Sequence, residues 1–219
     1  MGQDVLRSVN HRYLRQLTAA DAPGLVALSG FHAEQFQKNS GLQPGKIIPW
    51  GIVPNDFTGL QLFDNELDIL GVGSLLPVKN HEMWVRAIAL IARKRPELRA
   101  VLAGDGPELT KLTRLINQLG LAQNIRLTGN LPRSEVLRLM ASAKVLLHTS
   151  RFESYGYVLV EAAAAGCRVV STPVGIADKV GETAADETGL AELVVKALRT
   201  QGRISKMPFL MKDTVAAYL

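Results

Sequence analysis

The sequence predicts an α/β domain built on a parallel sheet with crossover helices, and three observations carry that prediction. From Glu66 onward, short runs rich in β-branched and aliphatic residues alternate with stretches of helical period. Most of these runs end in glycine or small polar residues, where the chain must turn. The 219 residues, 47% of them hydrophobic, suffice for one large core, with or without an appendage.

In chain order, HRYLRQLTAAD reads as helical, GLVALS as a strand, FHAEQFQKNSG as a helix, and KIIPWGIVPNDF as a strand leading into an extended linker. These residues stand outside the repeat, so a boundary is expected near residues 50–64. The strands of the repeat are LDILGVG, LRAVLAG, NIRLTG, KVLLHTS and CRVVST. Trp84, Ala87, Ile88 and Ile91 recur at i, i+3, i+4 and i+7, the period of a helix with one buried face, and Val136, Leu139, Met140 and Ala143 repeat it. Leu109, Leu112, Ile116 and Leu119 mark another helix, with Pro107 in its first turn and a stop near Gly120. Tyr157 to Ala165 form one more after the turn at Gly156. Past Gly181 the polar GETAADETG weakens the pattern, before GLAELVVKALRT and MKDTVAAYL each supply a helix.

Composition narrows the function. Twenty-five basic against 20 acidic residues, a formal charge of +5, favour an anionic partner: a phosphorylated ligand, nucleic acid or an anionic membrane face. The densest basic cluster, RKRPELR at Arg93 to Arg99, ends a helix, where cations suit the dipole. With 5% aromatics and no interleaving of aromatic and basic residues, base stacking is disfavoured, and with it nucleic acid. No apolar run reaches the roughly 20 residues of a membrane span, and the first residues lack the blocks of a signal peptide, so a cytoplasmic location is expected. Cys167 is alone and reads as a small buried hydrophobe; His11, His32, His81 and His148 read as surface or satisfied core residues.

In a parallel sheet of this kind, ligands bind outside the carboxyl ends of the strands, so the residues after each run matter. They are Gly73-Ser74, Gly104-Asp105-Gly106, Gly129-Asn130, Arg151 to Gly156, and Pro173 to Gly175. GVGSLL has two glycines of a dinucleotide fingerprint but Leu76 where the third belongs, and GDGP lacks the Lys-Ser/Thr of a P-loop. ESYGYVLVE is more specific. Gly156 can turn the chain so that the first free amides of the following helix face the crevice, a site suited to a diphosphate. Glu161, one turn into that helix on the face of Tyr157, can accept both hydroxyl hydrogens of a ribose, and Glu153, before the turn, can meet the hydroxyls of a sugar beyond the phosphates. On these nine residues alone, two acids on a solvated edge remain the rival reading.

GVGSLLPVKN, VLAGDGP, IRLTGN, LLHTSRFESYGYVLVEAAAAG and VVSTPVG resemble, in order and spacing, the carboxyl-terminal donor domain of retaining GT-B glycosyltransferases of the large group 1 family. The resemblance covers about residues 66–180. It implies a Rossmann-like parallel sheet with helices on both faces over residues 61–205, one half of a GT-B fold. Residues 1–60 would be the remnant of the amino-terminal domain and the interdomain linker, and 206–219 the start of the helix that crosses back to it. The site residues it implies are Lys79 for the donor diphosphate, Glu161 for the ribose, Glu153 for the transferred sugar, and the segment Tyr155, Gly156 and Tyr157 for phosphate or sugar oxygens. Asn130 falls near the base. Glu153 and Lys79 would carry the chemistry, Lys79 and the helix amides stabilising the charge that develops on the diphosphate, with no metal and no cofactor required. The donor would be a UDP- or GDP-linked sugar.

Two departures from that pattern stand out. Ser74 occupies the place where the family usually has an arginine, five residues before the lysine, and most of the acceptor half is missing. The function expected is therefore the donor-binding half of a glycosyltransferase acting with retention, inactive as an isolated chain, or else a non-catalytic nucleotide-sugar-binding subunit completed by a second polypeptide. The acceptor, a saccharide or a lipid, would reach it through the missing domain, with peripheral contact at the cytoplasmic membrane face. A GT-B-fold epimerase or phosphorylase would need catalytic groups of which nothing here gives a sign.

Overall fold

The five strands expected of the repeat lie side by side and parallel, joined by a sixth at one edge. The computed structural model describes residues 16–60, 67–200, 202 and 207–219. Two short strands come first, β1 (Val26–Ala27) and β2 (Lys46–Ile47), paired in parallel. The main sheet consists of β3 (Leu67–Val72), β4 (Ala100–Ala103), β5 (Ile125–Leu127), β6 (Ala143–His148), β7 (Arg168–Ser171) and β8 (Glu182–Thr183), in the order β5-β4-β3-β6-β7-β8. This is the doubly wound order, whose direction reverses between β3 and β6 and opens a crevice at their carboxyl ends.

Helix α1 (Gly30–Ser40) begins at Ser29, whose hydroxyl accepts the His32 amide, and stops at Gly41 in the left-handed conformation. Helices α2 (His81–Ala92), α3 (Leu109–Gln118), α4 (Arg133–Ser142), α5 (Tyr157–Ala164), α6 (Ala177–Val180), α7 (Glu187–Arg199) and α8 (Met211–Tyr218) complete the chain. Two buried clusters cover the two faces of the sheet. On one face Trp84 and Ile88 of α2, Leu112 and Ile116 of α3, and Leu190 and Val194 of α7 pack on Ile69, Leu102 and Val145. On the other, Leu137 and Met140 of α4, Leu159 and Val160 of α5, and Ala177 of α6 pack on Leu70 and Leu146, together with Ile52. The fold is Rossmann-like, with helices on both faces as expected.

Four details differ from expectation. Ala143, which continues the helical period of α4, is the first residue of β6: α4 runs into the strand with no loop, and Ala143 is buried by pairing with Leu67. Leu119 follows α3 and is 38% exposed. Glu182–Thr183 form an edge strand inside the polar GETAADETG, where two exposed residues leave no hydrophobic alternation to read. HRYLRQLTAAD lies partly outside the described residues, as do His11 and the far side of the expected boundary; the described part from Gln16 to Asp21 contains turns, followed by a 3₁₀ turn at Ala22–Gly24.

Candidate nucleotide-sugar site

Lys79 and Glu153 are brought together because the loop after β6 is tied to the loop after β3. The Arg151 amide donates to the Val78 carbonyl at 2.8 Å, and the Thr149 and Ser150 hydroxyls donate to the carbonyls of Lys79, Asn80 and Val78. Asn80, with φ of 51°, turns the first loop into α2. Lys79 Nζ then lies 2.5 Å from Glu153 Oε1, and the same oxygen is 3.1 Å from His148 Nε2, at the end of β6. Burial pushes the Glu153 carboxyl up, but the His148 hydrogen bond and the Lys79 charge outweigh it and hold the group at about 2. Glu153 is therefore a carboxylate at any ordinary pH, with Oε1 doubly engaged.

Gly156, at φ 82° and ψ 57°, starts α5 in the left-handed conformation, and an added Cβ there would come within 3.0 Å of Leu159. The first-turn amides of α5 emerge directly after it. Glu161 faces Arg133, at the start of α4, whose Nη2 and Nε lie 2.9 and 3.1 Å from Oε1; Arg133 also pairs with Asp56 of the linker at 3.1 Å. Burial pushes the Glu161 carboxyl up against the opposing pull of Arg133. Two carboxylates thus flank the glycine turn, each with a cation on it.

The other expected residues divide. Ser74 and Asn130 are exposed and line a cleft of about 440 Å³ at the exits of β3, β4 and β5, with Gly73, Asp105 and Gly106 among its walls. The Lys79 stem passes beside Gly73, 3.8 Å from where a Cβ would stand. Tyr155 is different: its ring is 3% exposed and its hydroxyl donates to the Trp50 carbonyl, so the side chain holds the linker and is not presented to the crevice. It turns inward because the Tyr155 carbonyl is fixed by the Ile176 amide at 2.8 Å and the ring packs against Phe209. The Tyr157 hydroxyl reaches the Gly51 carbonyl at 3.3 Å. A larger surface depression, about 720 Å³ between α2 and α7, has an aliphatic floor and a basic rim and contains none of these residues, so position beside the strand ends and not size selects the cleft.

Sequence reasoning missed three participants. His148 could have been found, since it ends a strand at the crevice. Arg133 and Asp56 gave no local signal, because they meet Glu161 only through the packing of α4 and the linker on α5.

Among curated proteins, the phosphatidylinositol N-acetylglucosaminyltransferase GPI3 subunit of Saccharomyces cerevisiae is 26% identical over 184 residues, covering 80% of this chain and 41% of that protein. The chain thus spans well under half the length of that relative. Among solved structures, WaaG, a glycosyltransferase involved in lipopolysaccharide biosynthesis, superposes with a TM-score of 0.67 at 26% identity, over 88% of this chain and 56% of that one. Anabaena Alr3699/HepE, solved in complex with UDP and glucose, superposes with a TM-score of 0.73 at 21% identity, over 96% of this chain and 62% of that one. The family model described as glycosyl transferases group 1 matches residues 53–194, and the chain belongs to that family.

Proposed function

We propose that this chain binds a nucleotide-sugar and is the donor half of a retaining glycosyltransferase. The observation that carries the reading is the arrangement around Gly156: Glu161 and Glu153 on either side of a left-handed turn, the α5 amides between them, and Lys79 against Glu153. A diphosphate over the turn meets the positive end of α5 and the Lys79 ammonium. Glu161 then takes the ribose hydroxyls in exchange for part of its pairing with Arg133, and Glu153 takes the donor sugar through Oε2. As the glycosidic bond breaks, charge accumulates on the leaving diphosphate, where Lys79 and the fixed amides stabilise it without reorganisation. Asn130 and Ser74 line the same cleft, Asn130 towards the base and Ser74 towards the diphosphate in this pose.

A second reading has a specific observation in its favour. The yeast relative is named as a subunit, and a donor-binding subunit completed by another polypeptide fits the same site. In either case the acceptor, a saccharide or lipid, is supplied from outside residues 61–205. Among the described residues no helix is long and apolar enough to cross a membrane.

Titration calorimetry with UDP, GDP and ADP tests the reading. Binding of at least one is expected, weakened by about 1.5–3 kcal/mol in Glu161→Ala through loss of a charge-assisted contact. A folded sample giving no heat with any of the three at millimolar concentration would refute it.

A further inference from the structure

We infer that His148 is a positioning residue of the donor site: it keeps Glu153 hydrogen-bonded when Lys79 turns its charge to the diphosphate. This rests on the donor-binding reading above. Lys79 Nζ and His148 Nε2 share one oxygen of Glu153, at 2.5 and 3.1 Å. The Glu153 side chain is only 15% exposed, so a carboxylate there depends on its donors, and losing one without replacement is costly. A diphosphate competes for the Lys79 ammonium and brings further negative charge towards Glu153. The two donors differ in freedom. Lys79 sits on a flexible stem in a 3₁₀ turn and is 20% exposed. His148 is 4% exposed, its carbonyl accepts the Thr172 amide at 3.0 Å, and its backbone lies in the ladder with Ser171.

His148 therefore cannot follow the ligand, and it remains on Oε1 while Lys79 is drawn away. Oε2, which neither donor engages, is left for a sugar. Without His148, the carboxylate would hold Lys79 in its present ion pair, and the diphosphate would have to break that pair to bind. The residue acts on donor affinity through Glu153 and makes no contact with the donor itself.

Epistasis separates this role from a structural one. UDP binding would be measured by calorimetry for the wild type, His148→Leu, His148→Gln, Glu153→Ala and the His148→Leu/Glu153→Ala double variant, with folding checked by circular dichroism. His148→Leu should weaken UDP about tenfold. His148→Gln, whose side-chain amide keeps an N–H near the place of Nε2, should recover most of the loss. In the Glu153→Ala background Lys79 has no carboxylate to leave, so His148→Leu should change affinity by less than about twofold. An equal loss in both backgrounds, or no loss in either, overturns the inference. If Glu153→Ala does not fold, the comparison of His148→Leu with His148→Gln decides: equal affinities overturn it. A wild type that binds UDP while these contrasts fail sinks the positioning role alone, whereas a wild type that binds no nucleoside diphosphate sinks the donor-site reading itself.

Discussion

Acid should weaken the fold through His81, the first residue of α2, by an amount the structure allows to be worked out. His81 is 4% exposed, and its Nε2 lies 3.2 Å from the Ser74 carbonyl, which can only accept, so Nε2 carries the hydrogen. Nδ1 is then a bare lone pair, buried with no hydrogen-bond partner among the described residues. Protonating it would bury a charged N–H with no acceptor facing it among the described residues. Burial lowers the imidazole from 6.5 to about 4, against the pull of the Ser74 hydrogen bond and with the neighbouring His148 and Lys79 adding to the drop. The folded form thus refuses a proton that the unfolded chain takes up from pH 6.5 downward. Stability from this group is complete above that pH, is lost as pH falls, and stops falling near pH 4. The total is about 3 kcal/mol, of which about 2 kcal/mol is gone by pH 5. His81→Gln keeps an amide donor for Ser74 and cannot titrate. Urea unfolding followed by circular dichroism at pH 7.5 and pH 5 should show the wild type losing about 2 kcal/mol more than His81→Gln. Equal losses in the two proteins would refute the reasoning, and would mean that Nδ1 finds a partner or that His81 is exposed in solution.

Three further outcomes are expected. Gly175→Ala should destabilise the protein by roughly 2–4 kcal/mol in chemical denaturation, since Gly175 has φ of 56° and an added Cβ would stand 2.2 Å from the Tyr155 carbonyl oxygen. Ser74→Arg, at the exposed rim of the cleft beside the Lys79 stem, should raise affinity for a nucleoside diphosphate about tenfold in calorimetry while leaving that for the nucleoside unchanged. Tyr155→Phe removes the hydroxyl that holds the Trp50 carbonyl, and should cost about 1 kcal/mol of stability with no change in UDP affinity, as measured side by side.

Much of the framework was legible in the chain because it follows from local rules. Leu67–Val72, Ala100–Ala103 and Ala143–His148 are aliphatic runs buried on both faces, and a parallel sheet needs such strands. The glycine before Tyr157 announced a left-handed turn into a helix, and the spacing of Glu153 and Glu161 placed an acid on either side of it. These properties belong to residues a few positions apart, where backbone geometry alone sets the relation. Tertiary packing decided everything that depends on distant partners. Lys79 meets Glu153 across 74 residues because the loops after β3 and β6 are stitched together at the point where the sheet reverses. Arg133 reaches Glu161 across 28 residues, and Asp56 joins them from the linker. Tyr155 and Tyr157 lie in one motif, yet the first hydroxyl bonds to Trp50 and the second to Gly51, which no spacing rule could distinguish from ligand contacts. His148 looked like a core histidine, and its burial is that of one; what the sequence could not convey is that its ring lies against the carboxylate of the turn. A side chain's type and period follow from its neighbours along the chain, but the charge it faces is set by the fold.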